Sequence, residues 1–372
     1  MKIGFLSHSD MSIYHFRLPI MRALKELGHE VIAILPSGRY NELIKAEFEL
    51  VNYDIHKASL NPFRVLKDTK NLAKLLNSLN LDLIQTSAHK SNIFGTLAAK
   101  RAGVKYIVNL VEGLGSFYVS NSVKNIAIRY IIEMLYFITF RLSNATIFVN
   151  DSDPNYMLRR HLINKNKIIR IKSVGIDMDK FNPQTTPKYN FNSDKKIVLM
   201  IARALKDKGV MEFYQAAKIL KDRNDCQFVF VGSSDPSNHS SLDESFLISP
   251  YVIHIDWSDK IANMLASCYM FVLPSYYKEG FPRTILEAMS MAKPSVVSNC
   301  DGCVEAIEDG VSGLIAKMKD SNDLASKIST LLDDGSLATK MGQNAHQIAK
   351  ANYNQPIITE KYIKFYKELA GV

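Results

Sequence analysis

Long apolar runs are missing from this chain of 372 residues. The strongly apolar stretch 123–143, VKNIAIRYIIEMLYFITFRLS, is interrupted by Arg129, Glu133 and Arg141. It falls short of the roughly 18 uninterrupted residues that a membrane span requires. It reads as a core helix of a first domain or as a helix lying partly in the membrane interface. The amino terminus, MKIGFLSHSD, has no long apolar segment, so neither a signal peptide nor a signal anchor is expected. Cysteine is scarce as well: four residues, at 226, 268, 300 and 303, make no disulfide framework and suit a reducing cytoplasm. The pair in CDGC (300–303) has C-x-x-C spacing, yet no second His or Cys pair follows for zinc. It also follows a late strand rather than a thioredoxin-like one, so ordinary buried thiols are expected.

Several ligand signatures are absent too. Neither domain's first strand is followed by G-x-G-x-x-G, and no G-x-x-x-x-G-K-[ST] occurs, which tells against nicotinamide dehydrogenases and P-loop enzymes. No D-x-D carboxylate pair is placed for a divalent ion beside phosphates, so a metal-independent site with no cofactor is expected. Nucleic-acid-binding signatures and an Arg-rich arm are lacking.

The charge that is present is uneven. Residues 1–186 hold 25 Lys+Arg against 15 Asp+Glu, or +10, whereas residues 187–372 hold 21 against 22, or −1. A basic excess confined to one half suits an anionic membrane surface or a phosphorylated acceptor.

Short apolar runs alternate with helical patterns. KIGFLSH (2–8), EVIAIL (30–35), LDLIQTS (81–87), KYIVNLV (105–111) and ATIFVN (145–150) read as buried parallel strands, with helices near 16–28, 62–79, 92–102 and 123–143. A Pro-, Thr- and Asn-rich break at 181–196 reads as a linker. Alternation restarts with KIVLMIA (196–202), CQFVFVG (226–232), YVIHID (251–256), YMFVLPS (269–275) and PSVVSN (294–299). The predicted architecture is α/β: two Rossmann-like, doubly wound domains facing a central cleft. The expected divisions are a first Rossmann-like domain at 1–186, a second at 187–352, and a terminal helix, 353–372, packing back on the first domain. Ligands in such sheets bind beyond the carboxyl ends of the strands. Ser7 and His8, Arg203, and Glu279 fall there.

MIARALKDKGV (200–210) sets Arg203 and Lys208 five apart in a strand-to-helix loop. Such cations suit a diphosphate, Arg by paired donors and Lys as a point charge, with the helix opening near Gly209 adding its amides. KEGFPRTILE (278–287) carries Glu279 and Glu287 on either side of a Gly-Phe-Pro break. Pro282 fixes φ and drives its predecessor out of helical angles, leaving Glu279 in a loop and Glu287 roughly one turn inside a helix. TILE also fits a capping box, with Thr284 as N-cap and Glu287 folding back. SVGIDMDKFNP (173–183) puts Gly175 and Asp177 where a turn and hinge are expected.

The order VGIDMDKFNP, IARALKDKG, FVGSS, FVLPSYYKEGFPRTILEAMSMAKPSVVSNCDGCVEAIEDGVSGLIA resembles the retaining family-four glycosyltransferases of GT-B type. GFLSHSDMSIYHFRLPIMRAL, KASLNPFRVLK, LDLIQTSAHKSNIFGTLAAK and LVEGLGSFYV narrow the resemblance to members serving bacterial protein N-glycosylation. It implies a transfer of N-acetylgalactosamine from UDP-GalNAc, in α-1,3 linkage, to undecaprenyl-diphosphate-linked N,N'-diacetylbacillosamine. It implies further that Glu279 contacts donor-sugar hydroxyls and Glu287 the ribose. Gly280, Phe281, Pro282, Arg283 and Thr284 would line sugar and phosphate, Arg203 and Lys208 would hold the diphosphate, and Gly175 and Gly232 would adjoin the donor. Contacts to the acceptor fall to His15, Arg17, Lys90, Glu112 and Gly113; Glu112 stands where many relatives carry histidine. A peripheral position on the cytoplasmic face of the membrane follows, with no transmembrane helix and no nucleic acid. Rival readings are a UDP-sugar transferase of capsule or lipopolysaccharide synthesis, a twin-Rossmann UDP-sugar epimerase, and a basic carbohydrate- or membrane-binding protein without activity.

Overall fold

The computed structural model describes residues 1–53, 62–119, 122–236 and 238–371; the KASLNPFRVLK stretch thus lies partly outside the described residues. The chain forms two compact units. The first comprises Met1–Phe117, Asn121–Gly175 and Pro356–Val372; the second comprises Ile176–Gln355 and the short stretch Tyr118–Ser120.

In the first unit, seven strands make one parallel sheet: β1 (Lys2–Ser7), β2 (Glu30–Leu35), β3 (Glu49–Asn52), β4 (Leu83–Ser87), β5 (Tyr106–Val111), β6 (Ala145–Phe148) and β7 (Ile168–Arg170). Their spatial order is β3-β2-β1-β4-β5-β6-β7. The second unit holds β8 (Lys196–Ile201), β9 (Cys226–Val231), β10 (Val252–Ile255), β11 (Met270–Leu273), β12 (Ser295–Ser298) and β13 (Gly313–Ala316), in the order β10-β9-β8-β11-β12-β13. Both sheets are doubly wound. Parallel strands covered on both faces by helices are buried rather than alternating, and the central strands β1, β4 and β8 are buried along nearly their whole length, β4 including the polar Gln85, Thr86 and Ser87.

Ten strands fall in the runs marked as strands in the sequence. The three without such a run, β3, β7 and β13, all lie at sheet edges. Each spans four residues or fewer, and a short edge strand carries too little pattern to be read. The helix expected at 16–28 is two helices, Asp10–Phe16 and Leu18–Glu26, joined at Arg17. Pro19 has no N–H to donate back across that junction. The segment 92–102 begins with a π turn, Ser91–Gly95, before the α-helix Thr96–Arg101.

The unit boundary corrects the linker reading. Residues 176–186, placed on the first-domain side, belong to the second unit, and so do 353–355. The Pro- and Thr-rich segment is tied down: Phe181 is buried, Tyr189 N–H donates to the Ser267 hydroxyl at 2.6 Å, and Asn263 donates to the Pro187 carbonyl at 2.8 Å. Apart from the short stretch Tyr118–Ser120, the crossings come instead at Gly175/Ile176 and Gln355/Pro356. The terminal helix Gln355–Ala370 buries Tyr362 and Tyr366 in the first unit, where the Tyr366 hydroxyl bonds Gln85.

Gly209 stands in a left-handed turn at the start of the helix Val210–Ile219. Its φ is 77°, and a Cβ there would stand 2.1 Å from the Pro274 carbonyl oxygen. A Gly209→Ala protein is expected to lose about 1–3 kcal/mol in chemical denaturation, and unchanged stability would contradict this close approach.

Candidate functional site

In the second sheet, β8 and β11 are neighbours whose continuations run to opposite sides, β8 to β9 and β11 to β12. Such a switch point leaves a crevice at the carboxyl ends of the strands. Two loops meet there. One leaves β8 through Arg203 and makes a 3-10 turn, Lys206–Lys208, which Gly209 ends as it starts the helix Val210–Ile219. The other leaves β11 through Pro274 and Ser275 to Glu279. Tyr276 N–H donates to the Asp207 carbonyl at 2.9 Å, locking one loop to the other.

That lock brings opposite charges together. Lys208 Nζ donates to Glu279 Oε1 at 2.5 Å, and the Ser275 hydroxyl lies 2.9 Å from the same oxygen. Ser275 Oγ is also 3.2 Å from the Asp207 carbonyl, and its single proton serves both acceptors. Ser298 donates in turn to the Ser275 carbonyl. Glu279 is only 7% exposed, and the Lys208 ammonium sits 4.8 Å from the centre of the Tyr277 ring. Burial pushes the Tyr277 phenol up, against the pull of Lys208.

Arg203 does not join this pair. Its Nη1 donates to Asp235 Oδ2 at 3.0 Å, and its side chain is half exposed. Gly232 packs rather than presents an amide: its N–H donates to the Ile255 carbonyl at 2.9 Å, and a Cβ would stand 1.7 Å from the Ala202 carbonyl oxygen.

The helix Arg283–Ser290 has Pro282 as its N-cap, with no side-chain cap. Thr284 is inside the first turn, so the capping-box reading of TILE is corrected. Glu287 pairs with Arg283 Nε at 3.1 Å instead. Glu287 is 8% exposed; burial raises its pKa, opposed by the charges of Arg283 and Lys180. Gly280 and Pro282 are buried, and the Phe281 ring packs 5.1 Å from that of Tyr353. Gly175, with φ 81°, closes the first unit's main stretch away from these loops in sequence.

The first unit has its own edge of polar groups. His15, on the helix after β1, lies edge-on to Tyr14 and Tyr40 at 5.0 and 5.1 Å. Arg17 corrects the expectation of an acceptor contact: it is 0% exposed, and its guanidinium bonds the Glu112 carboxylate. Its charge is felt by Tyr362 and Tyr366 of the terminal helix. Glu112 and Gly113 (φ 124°) follow β5, and Lys90 follows β4, where burial lowers its pKa. His89 is wholly engaged beneath that loop, with Nδ1 2.7 Å from the Tyr136 hydroxyl and Nε2 3.0 Å from the Leu114 carbonyl. Since a carbonyl only accepts, Nε2 carries the proton and Nδ1 accepts from Tyr136.

Two family models cover most of the chain: "Glycosyl transferase 4-like" over residues 2–150 and "Glycosyl transferases group 1" over 182–348. The chain is 48% identical, over 98% of both lengths, to the N,N'-diacetylbacillosaminyl-diphospho-undecaprenol alpha-1,3-N-acetylgalactosaminyltransferase of Campylobacter jejuni. The chain belongs to the GT-B glycosyltransferases of this group. The UDP-Gal:alpha-D-GlcNAc-diphosphoundecaprenol alpha-1,3-galactosyltransferase of Escherichia coli is 25% identical over 88% of this chain and 89% of its own. An Anabaena protein solved with UDP and glucose superposes with a TM-score of 0.79 at 17% identity, covering 99% of this chain and 100% of that one.

Sequence reasoning about this glycosyltransferase passed over Ser275, Tyr277, Asp235 and Ser298. Ser275 was findable, since it stands directly beyond β11 at the edge where ligands bind. Tyr277 directly precedes the KEGFPRTILE stretch, whereas Asp235 and Ser298 are brought in by folding alone. CDGC yields two free, buried thiols, with Cys303 held protonated by its bond to Cys300 and by burial. Among the described residues no group of three or more His, Cys, Asp or Glu forms a candidate metal site.

The raised pKa of Glu287 gives a signed expectation. Its ionised form is disfavoured in the folded protein, so the penalty is full above the folded pKa and vanishes below the ordinary carboxylate value of about 4.3. Without ligand at neutral pH, Glu287→Gln is expected to melt at or above the wild-type temperature, with the difference closing as pH falls. A clearly lower melting temperature at pH 7 would contradict the burial argument.

Proposed function

We propose that this glycosyltransferase moves N-acetylgalactosamine from UDP-GalNAc to undecaprenyl-diphosphate-linked N,N'-diacetylbacillosamine, forming an α-1,3 bond with retention at the anomeric carbon. The 48% identity to the Campylobacter enzyme across 98% of both chains carries this reading. The paired Lys208 and Glu279 at the switch point support it from the side of the chemistry.

The donor already holds a good leaving group, so charge stabilisation on the departing diphosphate is the main demand. In this reading Lys208 and Arg203 supply cations, and the first amides of the helix Arg283–Ser290 supply donors, without a metal or cofactor. Glu279 accepts from donor-sugar hydroxyls, oriented by Lys208 and Ser275. Glu287, fixed by Arg283, accepts from the ribose hydroxyls. The acceptor hydroxyl attacks the anomeric carbon on the face the diphosphate leaves. The bond from that carbon to the β-phosphate oxygen breaks, and the hydroxyl proton passes to the diphosphate. A double displacement would want two carboxylates about 5 Å apart across that carbon, and Glu279 and Glu287 are committed to separate partners. His15, Lys90, Glu112 and Gly113 of the first unit are assigned to the acceptor, and Arg17 acts through Glu112. A lipid-linked acceptor supports a peripheral position on the cytoplasmic face of the membrane.

UDP release by the purified protein, across a panel of UDP-sugars with and without the lipid acceptor, tests this. Release from UDP-GalNAc that depends on the acceptor is expected. Release from another UDP-sugar onto another acceptor would replace the reading with a capsule or lipopolysaccharide transferase. Release from no donor would overturn the transfer. Lys208→Met and Glu279→Gln are each expected to lower kcat/KM by about 10²–10³ with unchanged circular dichroism, and wild-type rates in either would sink the site assignment.

A further inference from the structure

The helix Val123–Leu142 has two unlike apolar faces. Tyr136, Thr139 and Phe140 turn inward with Glu133. On the outward side Ile126, Tyr130, Ile131, Met134, Phe137 and Ile138 remain in solvent, Tyr130 and Met134 to 59% and Ile131 to 56%. At 100° per residue these six fall within one arc of the helix about 140° wide. A soluble surface does not ordinarily expose a continuous apolar stripe several turns long.

The exposed charged residues of this helix are of one sign. Lys124 and Arg141 cap its two ends on the exposed face. Arg160 reaches in from the neighbouring segment, 5.4 Å from the centre of the Tyr130 ring, and the Arg141 guanidinium lies 3.3 Å from that of Phe137. Lys167 donates to the carbonyls at the carboxyl end of the same helix. The helix has one acid, Glu133, which is buried and held by Arg160 and Tyr156. An apolar stripe rimmed by cations, with its only carboxylate turned inward, matches an anionic bilayer surface: side chains for the acyl boundary and Lys and Arg for the headgroups. No helix among the described residues is long and apolar enough to cross a membrane.

We infer that the outward face of Val123–Leu142 is the surface by which the protein lies on an anionic membrane. The inference rests on the lipid-linked acceptor for its purpose, though not for its test. The inner face of the same helix carries Tyr136, which holds His89 and, through it, the Leu114 carbonyl. Seating the outer face on lipid therefore sets the height of the Glu112–Leu114 loop above the headgroups.

The experiment is flotation of the full chain with vesicles containing phosphatidylglycerol, set against neutral vesicles, for wild type and for Ile131→Glu/Met134→Glu. Both positions are exposed, so the variant is expected to keep its circular dichroism and melting temperature. Wild type is expected to float with anionic vesicles and to release as salt rises, and the variant to bind about tenfold or more weakly. Equal binding by the variant, or no binding by wild type, would overturn the inference. So would a wild-type dimer in solution that the variant abolishes, because the stripe would then face a second copy. Transfer to a detergent-solubilised acceptor is measured alongside. The variant is expected to keep that activity, and a wild-type protein that floats but transfers nothing would fail the proposed function alone.

Discussion

The second unit depends on one topological constraint, the side-by-side placement of β8 and β11 with their continuations running apart. Because the strands adjoin, the loops leaving them begin within bonding reach. Because the chain then diverges, a crevice is expected above them. The Tyr276–Asp207 bond and the tight fit of Gly209 under Pro274 turn that crevice into a fixed geometry. Lys208 and Glu279 meet only as its result.

That meeting has an electrostatic logic. A mostly buried carboxylate and ammonium are each costly alone, and pairing with a serine hydroxyl completing the shell offsets much of the cost. Glu287 is a harder case, since its burial outweighs the help from Arg283 and Lys180. A buried carboxylate whose ionised form is disfavoured costs the ligand-free protein stability at neutral pH. Arg17 shows the opposite use of charge. Wholly buried against Glu112 and the tyrosines of the terminal helix, it knits three stretches of the first unit that are distant in sequence.

Much of this was legible in the residues. Short apolar runs marked most of the central strands, although β4 also buries the polar Gln85, Thr86 and Ser87. The Pro282 break put Glu279 in a loop and Glu287 in a helix, as the structure has them. The linker was misread because Pro, Thr and Asn mark irregular backbone, which is compatible with being bonded along a surface through Tyr189 and Asn263. Arg17 was misread because a cation near a strand's carboxyl end looks like a ligand contact until its burial is known.

The sequence by itself determined the class of fold, the places where strands end, and which charged residues stand beyond those ends. These follow from local periodicity, from the backbone limits of proline and glycine, and from motif order. Only the tertiary structure decided partners. It joined Lys208 to Glu279 rather than to Arg203, gave Glu287 to Arg283 rather than to a cap, and turned Arg17 inward. It also left one face of Val123–Leu142 bare, although composition allowed that helix to be core. Pairing and burial depend on what folding brings from far along the chain, and no local pattern carries that information.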